Sequence, residues 1–121
     1  MTQEEELKNT FLEEYSSANV LKEMGRLKSA VILLSKALFA LCDYILLKKL
    51  GKLPKNHSER FRFMELKERV LFLEVDSVWS KYTDTYSKPS NEESFKLLIE
   101  SITRIIKNEK ACEEIKRIIE E

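Results

Sequence analysis

Glycine and proline, the residues that bend or break regular backbone, are almost missing from this sequence: two glycines (Gly25, Gly51) and two prolines (Pro54, Pro89) punctuate 121 residues. Sandwiches and barrels need tight turns every few residues, so such scarcity leaves room only for a few long elements. Between the breakers, apolar residues recur at three and four, the spacing of a helix face. No stretch alternates like a strand for long, and nothing repeats internally. The sequence therefore predicts an all-α protein, a single domain over residues 1–121 folded as an up-and-down bundle of four to five helices.

Thr2 and Glu5 open the first helix as a capping box, in which hydroxyl and carboxylate each satisfy a free backbone N–H. Leu7, Phe11, Tyr15, Ala18 and Leu21 then carry an amphipathic helix to about Met24. The second helix, about Arg26 to Leu50, differs in kind. Apolar residues cover most of its circumference, its polar residues fall in pairs seven apart (Lys28/Ser29, Ser35/Lys36, Cys42/Asp43), and Gly51 supplies a C-cap. Such a helix is contacted on several sides, by its own bundle or by another subunit. After the loop 51–57, Asn56 and Glu59 start a third helix near His57, with Phe63, Leu66, Val70 and Leu73 as its face. The phase then shifts to Val75, Val78, Trp79, Tyr82 and Tyr86, which places a bend near Glu74–Asp76. Lys88-Pro89 closes that element, and Ser90 to Glu93 forms another capping box. Phe95, Leu98, Ile99, Ile102, Ile105 and Ile106 make the cleanest amphipathic helix, continued past a break at Asn108 by Ala111, Cys112, Ile115, Ile118 and Ile119.

Lys plus Arg and Asp plus Glu both number 21, so no global charge drives binding to nucleic acid or membrane. The distribution is uneven. Residues 1–25 hold six glutamates against Lys8 and Lys22, whereas residues 48–62 hold Lys48, Lys49, Lys52, Lys55, Arg60 and Arg62 against Glu59 alone. Cys42 and Cys112 lack metal-like spacing, and the single His completes no familiar zinc pattern, so buried reduced thiols are expected, with no metal and no cofactor. The acidic N-terminus lacks the pattern of a signal peptide, and Lys36 and Asp43 interrupt the apolar run Ala30–Leu47. A cytoplasmic protein without a membrane span is the expectation.

The basic segment meets a helix start at Lys55-Asn56-His57-Ser58-Glu59-Arg60. Free N–H groups and the positive end of the helix dipole favour an anion there, with Lys52, Lys55 and Arg60 adding charge; an ordinary capped, solvated helix start has the same composition. Lys52, Lys55, Asn56, His57, Ser58 and Arg60 are thus the candidate ligand-binding residues. Trp79, Tyr82 and Tyr86 could stack on unpaired bases, although their helical spacing suits core or interface packing better. No P-loop, HExxH or GxGxxG occurs, and no catalytic residue is assigned.

The run Gly25-Arg26-Leu27-Lys28-Ser29-Ala30-Val31, through Lys36-Ala37-Leu38-Phe39-Ala40-Leu41, to Leu50-Gly51 and Lys55-Asn56-His57 resembles the HEPN family over about residues 24–62. The resemblance implies a helical bundle, commonly a homodimer, among relatives that include RNases of toxin–antitoxin systems, partners of nucleotidyltransferases and noncatalytic nucleotide- or RNA-binding modules. RNase members carry an Arg separated from the His by four to six residues. Here Leu50, Gly51 and Lys52 hold those positions, and Lys lacks the planar fork Arg offers a phosphate. The expectation is a noncatalytic module binding a nucleotide, RNA or a protein partner through the basic loop. The alternative is a metal-independent RNase using His57.

Overall fold

The computed structural model describes residues 1–121 as six α-helices joined by short turns, with no strand. The helices are α1 (Gln3–Glu23), α2 (Leu27–Leu50), α3 (His57–Lys67), α4 (Arg69–Thr83), α5 (Glu92–Asn108) and α6 (Glu113–Glu120). Short 3-10 turns follow α4 at Asp84–Tyr86 and α5 at Lys110–Cys112. The all-α bundle is as expected. The number of helices exceeds the expected four to five because two long elements are each interrupted once.

Local chemistry fixes most of the ends. Thr2 Oγ1 accepts from the Glu5 N–H at 3.1 Å and starts α1. Gly25, at φ 77°, ends it: Arg26 N–H reaches Leu21 O at 2.9 Å and Gly25 N–H reaches Lys22 O at 3.0 Å. That pair of bonds is a Schellman motif, which needs a left-handed residue where a side chain would be strained. Gly51, at φ 70°, closes α2 in the same conformation. Asn56 caps α3 as expected. The cap of α5 is Asn91, whose side chain accepts from Ser94 N–H at 2.9 Å, one residue later than the Ser90 box predicts.

α2 forms the axis of the molecule, and α1, α3, α4 and α5 all pack against it. Its Ala30, Val31, Leu34, Ala37, Leu41, Ile45 and Leu46 are wholly shielded from solvent. Phe11 and Ala18 of α1, Met64 of α3, Val75 of α4, Ile102 of α5 and Ile115 of α6 enclose them in one continuous core. Each large aliphatic side chain buried in this way contributes about 1.5–3 kcal/mol. α2 is long and apolar enough to cross a membrane by length and composition, yet the other helices cover most of it here. Most of the apolar circumference of α2 is thus covered within one chain.

The third predicted helix breaks in a different place. The interruption is at Glu68 (φ −137°, ψ 64°), between α3 and α4, and Glu74–Asp76 lies inside regular helix. The break resets the phase, so Leu71, Val75 and Val78 face the core. Leu66, Val70 and Leu73, three of the four residues of the face predicted from periodicity, point to solvent and are 69%, 79% and 53% exposed.

Candidate functional site

A carboxylate in the middle of an apolar helix needs a cation, and the fold supplies one. Asp43 of α2 receives Arg60 of α3 in a two-pronged pair, Nε to Oδ1 at 2.7 Å and Nη2 to Oδ2 at 2.9 Å. Both side chains are nearly sealed from water, at 10% exposure for Arg60 and 14% for Asp43. The guanidinium lies over the Phe39 ring, 5.3 Å from its centroid. Its remaining nitrogen, Nη1, sits 2.5 Å from His57 Nδ1. Arginine only donates, so Nδ1 must accept, and the ring proton of neutral His57 resides on Nε2.

Aromatic rings enclose the imidazole. Phe39 lies 4.7 Å from it between centroids, Trp79 5.1 Å and Tyr82 5.8 Å. Partial burial and then the Arg60 charge hold the His57 pKa below its ordinary 6.5, with Asp43 opposing more weakly. At neutral pH His57 is thus a neutral hydrogen-bond donor through Nε2. To act as a general base at that nitrogen it would need its proton on Nδ1, directly against the guanidinium. The arrangement supplies a hydrogen-bond donor in an aromatic setting.

The aromatic group runs on toward solvent. Tyr82 packs edge-on against Phe39, and its hydroxyl bonds the Tyr86 hydroxyl at 2.7 Å. Tyr86 is 75% exposed, so the row passes from buried Phe39 through half-buried Trp79 and Tyr82 to an open ring. None of the five best-formed surface depressions is lined by these rings. The rings meet edge to face, at 87° between Phe39 and Tyr82 and 83° between Tyr82 and Tyr86, so they form a stepped ledge on which Tyr86 is the open ring.

The six candidate residues divide among different tasks. His57 and Arg60 join the cluster, but Arg60 is spent on Asp43 and His57 and is no free phosphate ligand. Asn56 is occupied by the cap, accepting from Glu59 N–H at 2.9 Å, while the Glu59 carboxylate accepts from Lys55 N–H at 3.1 Å. At the start of α3 the Glu59 and Arg60 N–H groups thus meet oxygens of Asn56, whereas those of His57 and Ser58 are bonded to no oxygen of the chain. Ser58 is exposed in the first turn. Lys55 is exposed, two residues from His57, with no ion pair. Lys52 lies elsewhere, in a groove with Leu50, Arg62, Phe63, Leu66 and Lys67. Of the other cations in the basic segment, Lys49 bridges Glu68 and Glu109, and Arg62 pairs loosely with Glu59.

Phe39 and Asp43 were absent from the sequence-derived site. The available signal was Asp43 itself, an acid with no local partner in the most apolar helix. The cysteines play no visible part: both are free and buried, and burial pushes the Cys112 thiol up to about 12 and Cys42 higher still. No three His, Cys, Asp or Glu side chains converge as a metal site would require.

Comparison of the chain with family models, curated proteins and solved structures gives no significant match.

Proposed function

We propose that this protein is a noncatalytic, HEPN-like module that binds single-stranded RNA on the aromatic ledge. The observation that carries the reading is exposed Tyr86, hydrogen-bonded to half-buried Tyr82, which packs against neutral His57, two residues from unpaired Lys55. Unstacked bases lie on aromatic faces with little regard to sequence, at about 1–3 kcal/mol per base. The His57 donor suits a base carbonyl or a phosphate oxygen, and Lys55 suits the backbone. The HEPN resemblance extends the proposal to a homodimer, in a toxin–antitoxin pair or beside a nucleotidyltransferase.

Trp79 is the only tryptophan, so its fluorescence reports directly on the ledge. Titration with short single-stranded oligoribonucleotides should change that emission, with an affinity that falls steeply as salt rises. Tyr86→Ala should weaken binding about tenfold, the low-to-middle range for loss of one stacked base. Failure to bind RNA at low salt would overturn the proposal. Cleavage of the oligomer that His57→Ala abolishes would replace it with the RNase reading.

A further inference from the structure

A free imidazole carries its proton on either nitrogen, so each nitrogen is a donor at one moment and an acceptor at the next. His57 has lost that freedom. The Asp43 carboxylate accepts from Nε and Nη2 of Arg60, one oxygen each, which fixes the plane of the guanidinium and with it the third nitrogen. That nitrogen, Nη1, meets His57 Nδ1 at 2.5 Å and can only donate. Phe39 and Trp79 flank the imidazole, tilted 67° and 66° from its plane. Nε2 makes no hydrogen bond within the chain, and no sealed side-chain nitrogen or oxygen lacks a partner, so Nε2 opens to solvent. One nitrogen is engaged inward. The other presents a fixed N–H to solvent, on a ring whose centroid lies 5.8 Å from that of Tyr82.

Stacking tolerates any base, since every base has a face to offer, and a face contact alone leaves the strand free to turn and slide. A donor fixed in place removes that latitude, because the strand must set an acceptor oxygen against it. A lone pair shown at the same point would repel that oxygen, so a tautomer free to exchange would undo the contact. Fixing the donor before the ligand arrives lowers what binding has to order. We infer that Asp43 and Arg60 are positioning residues for RNA: they act through His57, whose Nε2–H bonds an acceptor oxygen of the strand laid on Tyr86. The inference rests on the RNA-binding reading and adds to it the Asp43–Arg60–His57 chain that sets the strand's register. The competing account is structural, with His57 only satisfying an Arg60 N–H near the core. The two accounts differ in whether Arg60 affects RNA once the imidazole is gone.

His57 is the only histidine, so its nitrogen resonances identify themselves in isotopically labelled protein. At neutral pH they should place the ring proton on Nε2. Arg60→Lys leaves a cation for Asp43 but lacks the fork that spans both partners, and should yield a mixture of tautomers. Binding is read by Trp79 fluorescence with an oligouridylate of about six residues, below the melting temperature of every variant. His57→Phe keeps a ring and removes the donor, and should weaken binding about fivefold, within the range for one hydrogen bond. His57→Gln has an acceptor for Arg60 and a donor for RNA, and should recover most of that loss. Arg60→Lys should weaken binding about threefold alone and add nothing to His57→Phe, the non-additivity of a residue that acts through another. An abasic oligomer of the same length locates the acceptor: a His57→Phe loss that persists places it on the backbone, and one that vanishes places it on a base. The inference falls if the wild-type proton lies on Nδ1, if Arg60→Lys leaves the tautomer unchanged, or if Arg60→Lys weakens binding equally with and without the imidazole. RNA that binds, and loses affinity in Tyr86→Ala but not in His57→Phe, overturns the inference and spares the RNA-binding reading. Absence of RNA binding overturns both.

Discussion

Arg60 illustrates how little a residue's type says about its task. In sequence it is one more cation of a basic segment; in the fold it ties α3 to α2, holding Asp43 and fixing the tautomer of His57. Arg60→Met strands the Asp43 carboxylate in a nearly sealed position, and loss of one partner of a buried pair costs about 3–5 kcal/mol. Chemical denaturation should show that loss, and Asp43→Leu added to Arg60→Met should restore much of it. His57 gives a prediction of opposite character, since it concerns pH. Unfolded, it takes up a proton near pH 6.5; folded, it resists protonation until lower pH. Between those two values the unfolded chain binds more protons, so acid favours unfolding. Wild type should therefore lose stability as pH falls below about 6.5, and His57→Gln should show a smaller loss over that window. Equal slopes for the two proteins would mean that the imidazole is not shielded as the geometry implies.

Elements were legible where their cause is local. The caps at Thr2 and Asn56 and the glycine at the end of α2 depend on neighbours within four residues, and all three occur, though the Glu5 carboxylate does not return the bond that a full capping box requires. The bend in the third helix depends on more distant partners. Residues 63–73 and 71–78 carry two overlapping apolar stripes, and periodicity alone cannot say which one meets α2 and α5. The packed structure selects Leu71, Val75 and Val78 and leaves Leu66, Val70 and Leu73 outside. The candidate site was legible for the same reason only at His57 and Arg60. Phe39, Asp43 and Trp79 join them through contacts far apart in sequence. The local causes remain testable. Asn56→Ala deletes the acceptor of the Glu59 N–H and should cost about 1 kcal/mol in thermal denaturation. Gly51→Ala should cost a comparable ~1 kcal/mol, because open space surrounds the position and only its left-handed backbone opposes a side chain.

At the scale of the molecule, a chain of 14.3 kDa has organised itself around one strongly apolar helix. Such a helix has three ways to leave water: a membrane, a second subunit, or its own bundle. Here α1, α3, α4 and α5 each cover part of α2. Leu38, at the middle of α2, separates the cases, being 1% exposed within the single chain. Leu38→Ala should destabilise the protein by about 2–5 kcal/mol through lost burial and the cavity left behind. For a domain of this size, that is a drop of roughly 10 °C or more in melting temperature. The decisive observation is how the melting temperature responds to protein concentration. If α2 is sealed within its own chain, both wild type and Leu38→Ala should melt at temperatures that do not change from micromolar to much higher concentration, whereas a subunit contact on α2 would make melting concentration-dependent by mass action. A melting temperature that climbs with concentration in wild type, and climbs less in Leu38→Ala, would place a second chain against the central helix and return the dimer to the position the sequence first suggested.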